Sequence, residues 1–348
     1  MEQRGKLEAP EDFWPLPLVL HNMLVLECQF YVFVTGRPMT PTVTIYSSWY
    51  NREHRVYPSL EHLFAQDYPH TEFVLIDDGS TDETGERIEA FCRERGDRNA
   101  TVIRQRNKGL TRTLIDAIDS GSSDYIALLG AGDLCAPEKI TRQIEIAESS
   151  KSVGVVGCGV GYCSETGIDP TRAHHAPKEH TATHSLPKRI PRPGTHGAAL
   201  IRRESYEQAG GYRAAFKYAQ DADLWLRLAP LCDFRTVPET LYWKYQGSGT
   251  VLANPERSLV QALHSELAWQ SSEARWHGRP DPVDVLGDDA TYFLRPTWRL
   301  EARILKKAWR LMRQGELTRA AAVLTAVRAA TPLGGALKAL ASIATRAS

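Results

Sequence analysis

Three short polar clusters have the residue types and placement to do chemistry: Ser48-Trp49-Tyr50-Asn51, Asp77-Asp78 and Gly130-Ala131-Gly132-Asp133. A pair of acids, Asp221 and Asp223, follows further on. Carboxylates can take a proton from a hydroxyl or ligate a hard divalent cation through oxygen. They also have a plain structural use, because an acid at the start of a helix is stabilised by the positive end of the helix dipole. Asp77, Asp78 and Asp133 all precede helical patterns, so both readings stand for them. No G-x-G-x-x-G and no G-x-x-x-x-G-K-[ST] follows the first strand, which removes a dinucleotide fingerprint and a Walker-type phosphate loop. Nucleotide recognition, if it occurs, must run through carboxylates and a metal.

These clusters matter because of where the secondary structure puts them. Val43-Thr44-Ile45-Tyr46-Ser47 reads as a strand, and Leu60, Leu63 and Phe64 recur at helical spacing behind Pro58. Phe73-Val74-Leu75-Ile76 is an uninterrupted apolar strand, as in a parallel sheet covered on both faces. Ser80 and Glu83 have capping-box spacing ahead of a helix over Thr84 to about Arg95. A strand at Thr101–Arg104, a helix from Thr111, a strand at Tyr125–Leu129 and a helix from Pro137 to about Ser149 continue the pattern. Alternation of this kind predicts a doubly wound α/β sheet, in which ligands bind beyond the carboxyl ends of the strands. The three clusters lie at those ends. Asn107-Lys108-Gly109 and Arg112 sit at another strand-to-helix turn, where Lys108 or Arg112 meets either a phosphate or solvent.

Composition sets the outer bounds. The chain has 348 residues, 42% hydrophobic and 24% charged, and its 42 basic residues balance 42 acidic ones. Net neutrality argues against a basic nucleic-acid binder, so no nucleic-acid partner is expected. Six scattered cysteines without a C-x-x-C pair read as reduced structural thiols of a cytoplasmic protein, with Cys158 and Cys163 as strand residues. His174, His175, His180, His184 and His196 crowd a Pro-rich stretch but fit no metal-ligand template. A loop that closes over donor or acceptor is the simpler expectation, with His196, beside Gly197 and an apolar strand, placed to touch substrate.

Six ordered segments resemble family 2 glycosyltransferases of the GT-A fold: YNREHRVYPSLEHLFAQDYP, FVLIDDGSTDET, NKGLTRTLIDAI, YIALLGAGDLCAPEKITRQ, HGAALIRRESYEQAGGYR and QDADLWLRL. They run from about Thr42 to Thr250, roughly 60% of the chain. The resemblance implies a Rossmann-like, mostly parallel sheet flanked by helices over 39–254. It implies inverting transfer of a sugar from a nucleotide-diphosphate donor, UDP-sugar favoured, to a hydroxyl of a glycan or lipid-linked acceptor. Ser48, Tyr50 and Asn51 then match the nucleoside-contacting segment, with Tyr50 as the stacking ring and Asp78 as the acid that accepts from the base. Lys108 and Arg112 fall on the donor side. Asp133 matches the last acid of the family's metal-binding cluster, so a divalent cation, Mn or Mg, is implied as cofactor. Asp221 matches the general base, which leaves Asp223 as the helix cap. His196, Arg202 and Trp225, with the GGYR segment, fall on the acceptor side.

Two departures stand out. The family's D-x-D-D cluster is here Gly130-Ala131-Gly132-Asp133, with one acid, and the stretch where a further histidine is usual reads Trp243-Lys244-Tyr245-Gln246. The site is expected to lean on Lys244 or another cation, or on water ligands, in its place. The depleted cluster also motivates an alternative: a nucleotide-sugar-binding protein or scaffold that keeps the fold and has lost turnover. The absence of a Q-x-x-R-W motif and of spanning segments argues against a processive polymer synthase.

The ends are read separately. The apolar run from Leu16 to Val34 is broken by His21, Asn22, Glu27 and Gln29 and preceded by acids, unlike a spanning helix or a secretory signal. Residues 1–38 are an added strand pair or precede the true start, for which Met39 is the candidate. Region 255–348 reads as helical and basic, with Leu300, Ile304, Leu305, Trp309, Leu311 and Met312 near helical spacing among many cations. It is either a bundle on the catalytic domain or a peripheral contact with the inner face of a membrane.

Overall fold

The structure, a computed structural model, describes residues 40–96, 99–172, 177–183, 185–247 and 255–325. The apolar run at 16–34, Met39, His174, His175, His184 and residues 326–348 lie outside them. From Thr42 on the chain forms one compact unit.

The β-branched start at Val43 opens β1 (Val43–Trp49), whose alternate residues face opposite sides of the sheet. It pairs in parallel with β2 (Thr71–Asp77) and with β4 (Tyr125–Leu128), and β2 pairs in parallel with β3 (Ala100–Arg104). Helices α1 (Val56–Phe64), α2 (Thr84–Arg95) and α3 (Leu110–Asp119) connect these strands. Each element lies within one or two residues of its sequence-based limits. Beyond β4 the sheet becomes mixed. β5 (Leu134–Cys135) is followed by α4 (Lys139–Ala147), β6 (Val153–Ser164), the short β7 (Gly167–Asp169) and β8 (Leu200–Arg202). Then come α5 (Arg203–Gln208), α6 (Gln220–Leu228) and the long β9 (Asp233–Tyr245). The strand order is β3-β2-β1-β4-β8-β6-β9-β5, with β8 antiparallel to β4 and β6, and β9 parallel to β6.

Helices cover both faces, as burial of a two-sided apolar sheet requires. Val43, Ile45 and Trp49 pack with Leu60, Leu63 and Ile140 on one face. Tyr46, Ile76, Leu114, Ile118, Leu224 and Trp225 pack on the other. Cys158 and Cys163 both lie on β6, and the five described cysteines are free thiols.

The capping box expected at Ser80 and Glu83 does not form. The loop after β2 folds back onto β1, so the Ser80 hydroxyl accepts from the Asn51 N–H at 3.0 Å. Asp82 Oδ1 takes the Thr84 N–H at 3.0 Å instead.

C-terminal to β9 lie α7 (Pro255–Trp276), α8 (Pro282–Leu286), α9 (Trp298–Arg313) and α10 (Leu317–Thr325). The Thr297 hydroxyl caps α9 by accepting the Leu300 N–H at 3.2 Å. Leu300, Ile304, Ala308 and Leu311 of α9 bury against Ala320, Val323 and Leu324 of α10 and Leu259 and Leu263 of α7. Leu267 and Ala268 of α7 meet Ala222 and Leu226 of α6, which joins this bundle to the helix bearing Asp221. Among the described residues no helix is long and apolar enough to cross a membrane.

Candidate active site

Trp49 and Asp77 are register partners, so the loops leaving β1 and β2 start side by side. Asn51 adopts a left-handed conformation (φ 51°), and its Oδ1 accepts the Thr81 N–H at 2.8 Å. Asp78 is buried and fully engaged. Its Oδ1 accepts from the Lys108 N–H and Gln105 Nε2, each at 2.8 Å, and its Oδ2 accepts the Gly109 N–H at 2.9 Å. Three loops are thereby tied into one platform. Ser48 is half-buried at its base, and Tyr50, 46% exposed, projects from it.

Ser48, Tyr50, Asn51 and Asp78 are thus brought together. Lys108 joins through its backbone, while its ammonium pairs with Asp116 at 2.6 Å. Arg112 pairs with Asp288 at 3.4 Å. Both side chains line a shallow recess with Ile115 and Ala214 on the outer side of α3. Helical geometry explains part of this: Arg112 and Asp116 are spaced four apart on the exposed face of α3, and Lys108, just ahead of the Gly109 that precedes the helix, reaches across to Asp116.

The second acid site is built by β9. Leu134 pairs with Trp243 and Cys135 with Tyr242 in antiparallel register, which brings Asp133 to the end of β9 that carries Lys244 and Tyr245. Tyr242 and Lys244 are two apart and point to the same face. The Tyr242 hydroxyl donates to Asp133 Oδ2 and accepts the Gly130 N–H at 3.1 Å, and the Tyr245 N–H donates to Asp133 Oδ1 at 2.8 Å. Burial pushes the Asp133 carboxyl up to about 6, against the pull of the Tyr242 and Tyr245 bonds and the charges of Lys244 and Arg55.

The missing acids have a steric counterpart. A Cβ on Gly130 would run into Asp133 Oδ2. Gly132 has φ +91° and lies under Arg55, whose Nη2 donates to the Gly132 carbonyl at 2.9 Å. Among the described residues no three His, Cys, Asp or Glu side chains group to hold an ion. The segment from Gly130 to Asp133 offers one carboxylate. That suits a hard cation only if substrate phosphates and water complete its shell.

Asp221 stands in the first turn of α6, reached through Ala219 in a left-handed conformation (φ 57°). Its Oδ1 accepts the Ala222 N–H at 2.8 Å. Beside it, His196 Nε2 meets the Tyr212 hydroxyl at 2.5 Å, and the His196 ring lies edge-on to Trp225. Burial lowers the basicity of His196; Asp221 opposes the shift and Lys244 adds to it. Lys244 thus acts on both Asp133 and His196, and the neighbouring Gly197 abuts the Tyr242 ring. Asp133 and Asp221 consequently belong to one region. A separate hollow of about 340 Å³, lined by Leu226, Arg227, Arg275 and Trp276, lies toward the other end of α6.

Asp223 does not cap α6. Fully buried, it accepts from Arg213 Nε at 3.1 Å and Arg227 Nη2 at 2.7 Å, and Arg213 also pairs with Asp281 at 2.8 Å. The GGYR arginine is therefore spent on holding α6. Arg202 is not brought to the site either. It pairs with Tyr125 at the amino end of β4 and donates to the carbonyls of Ala147 (2.6 Å) and Val153 (3.1 Å), at the opposite end of the strand from Asp133. Trp225 is buried and supports His196 from within. Sequence reasoning missed Arg55 and Tyr242, whereas Tyr212 falls within the GGYR segment expected on the acceptor side. The period-two pattern through Tyr242 and Lys244 is the signal that could have found Tyr242.

The profile of glycosyl transferase family 2 matches residues 44–210, from β1 past His196 and short of Asp221. EpsE of Bacillus subtilis (strain 168), assigned as a glycosyltransferase, is 29% identical over 197 residues, covering 54% of this chain and 66% of EpsE. The amylovoran biosynthesis glycosyltransferase AmsE of Erwinia amylovora is 28% identical over 188 residues, 53% of this chain and 68% of AmsE. The chain thus spans about two thirds of the length of these relatives. Among solved structures, the mannosyltransferase PcManGT of Pyrobaculum calidifontis, in complex with GDP-Man and Mn2+, has a TM-score of 0.53 at 19% identity. That likeness covers 94% of this chain and 91% of PcManGT. TarS 1-349 of S. aureus, in complex with UDP, has a TM-score of 0.50 at 14% identity, covering 88% and 89%. At such identities the likeness is one of fold, and the fold is GT-A. With ordered motifs, sheet and family profile in agreement, this chain belongs to glycosyl transferase family 2.

Proposed function

We propose that the protein transfers a glycosyl group from a nucleotide-diphosphate donor, UDP-sugar favoured, to an acceptor hydroxyl with inversion, in polysaccharide or glycoconjugate synthesis. The observation that carries this reading is the convergence of Asp133, Lys244, His196 and Asp221 on one region beyond the carboxyl end of β4. The naming of AmsE for a polysaccharide supports the biosynthetic setting. Tyr50 stacks on the base, and Ser48, Asn51 and Asp78 shape the nucleoside platform. Asp221 takes the proton of the acceptor hydroxyl. The acceptor oxygen then bonds to the anomeric carbon opposite the breaking C–O bond, and the nucleoside diphosphate leaves with the electron pair. Asp133 would hold a divalent cation, Mn or Mg, together with diphosphate oxygens; such a cation supplies neutralisation of charge on the leaving group. Lys244, near Asp133 at the end of β9, adds a positive charge where the family more often has histidine. His196, kept neutral by burial, orients the acceptor beside Asp221.

Transfer from UDP- and GDP-sugars, with and without manganese, tests this. Asp221→Asn should lower transfer by about 10²–10⁴-fold and leave UDP affinity unchanged, since an amide oxygen can still accept from the Ala222 N–H. Equal activity of the variant removes Asp221 from the mechanism. Nucleotide binding without transfer from any donor would favour the binding-protein alternative, to which the single, already hydrogen-bonded carboxylate at Asp133 also points.

A further inference from the structure

Helix α9 divides cleanly into two faces. Leu300, Ile304, Ala308 and Leu311 are buried in the bundle, and so is Glu301, its only acid. The outward face carries Trp298, 70% exposed, and Trp309, 61% exposed. At 100° per residue these two rings fall on nearly the same line, about 16 Å apart along the axis. Ala302, Lys306, Arg310 and Arg313, all exposed, fall on the flank beside that line. The outward face of α9 therefore holds two large amphipathic rings and three cations with no acid among them.

Either property alone would be ordinary, since single exposed apolar residues and solvated cations are common on surfaces. Their combination on one helix face is not. Trp places an apolar body and a polar N–H at a boundary between wet and dry, and Lys or Arg stems lie along apolar surface while their charges stay outside. Anionic headgroups complement both. A protein partner would need an acidic, aromatic-accepting groove, whereas a lipid surface offers that chemistry without a shaped counterpart.

We infer that the outward face of α9 docks the protein on an anionic bilayer, with Trp298 and Trp309 seated among the headgroups and Lys306, Arg310 and Arg313 paired with lipid phosphates. The helix lies along the surface, and its inner face stays packed on α7 and α10. This inference goes beyond the proposed transfer reaction and does not depend on the role of Asp221.

Flotation of the full chain with phosphatidylcholine vesicles, with and without phosphatidylglycerol, tests it. The protein should float with the anionic vesicles only, and added salt should release it. Trp298→Ala/Trp309→Ala should abolish flotation. Lys306→Glu/Arg310→Glu/Arg313→Glu should weaken it by more than about tenfold, given the strength of single basic residues near such a surface. All five positions are exposed, so circular dichroism and UDP binding should match the parent and report separately on the fold and the donor site. Absence of flotation at low salt overturns the inference, as does flotation of both variants equal to the parent. A dimer in solution that the tryptophan variant dissolves, without vesicle binding, also overturns it and assigns the face to a second copy of the chain.

Discussion

The platform around Asp78 and the acid region beside β9 sit on the same sheet but are held in different ways. In the platform the acids are spent on the chain itself: Asp78 takes two backbone N–H groups and a glutamine amide, and Asn51 takes the turn at Thr81. In the acid region, side chains distant in sequence are added to the backbone bonds from Tyr245 and Ala222, as Tyr242 is to Asp133 and Tyr212 to His196. The first arrangement makes a braced shelf from which Tyr50 is left exposed. The second holds its acids and His196 partly through side-chain partners that can be changed one at a time. An acidic motif at a strand end is therefore not by itself a ligand, and a lone acid with the right neighbours can still be one.

The contrast is broken most directly at Asp78. Asp78→Ala leaves the Lys108 and Gly109 N–H groups and Gln105 without their acceptor in a buried loop. Hydrogen bonds to a charged group contribute about 1.5–3 kcal/mol each, and they are not additive within one network. A loss of roughly 3 kcal/mol in urea unfolding is expected, with UDP affinity falling in parallel because the loops no longer align. If stability is unchanged and only nucleotide binding falls, Asp78 serves the base directly and the brace reading fails.

This difference also decides what was legible in the sequence. The parallel half, β1 to β4, was readable because its apolar runs and helical spacings are local and each loop motif follows its own strand. The residues of the Asp78 platform could be named for the same reason. Asp133 and Asp221 could be matched to positions, yet their surroundings could not. Tyr242 lies 109 residues from Asp133, and Arg55 reaches Gly132 across 77. No local pattern encodes such pairings. Asp223 and Arg202 went astray for a related reason: an acid in a first helical turn suggests a cap, and an arginine beside a motif suggests a ligand. Burial sent the first into a two-arginine clamp and the second to carbonyls at the far end of β4. The mixed pairing around β8 and β9 was similarly silent, because it depends on crossovers.

Tyr242→Phe sharpens the comparison from the other side. The ring can stay in place, so the change removes only the donor to Asp133 Oδ2 and the acceptor of the Gly130 N–H. Stability should fall by about 1–2 kcal/mol, less than for Asp78→Ala. Transfer should fall by roughly tenfold through the rate at saturating donor, as loss of alignment at a reacting site predicts. A shared, purely structural role would lower stability and leave the transfer rate of the folded protein untouched.

The smallest effects are expected where the sequence most suggested phosphate contacts. The Lys108 ammonium and Arg112 guanidinium are about half exposed and already paired with Asp116 and Asp288 on the outer side of α3. Exposed pairs of this kind contribute about 0–1 kcal/mol. Lys108→Ala should therefore shift the unfolding midpoint little and leave UDP affinity within about twofold, because the group that matters at this position, its backbone N–H to Asp78, survives the substitution. The same holds for Arg112→Ala. Lys108→Pro is the sharper control: it deletes that N–H and should approach the Asp78→Ala loss. If alanine at 108 weakens UDP binding as much as proline does, the ammonium leaves Asp116 for the donor when nucleotide binds, and the platform is less self-contained than its hydrogen bonds indicate.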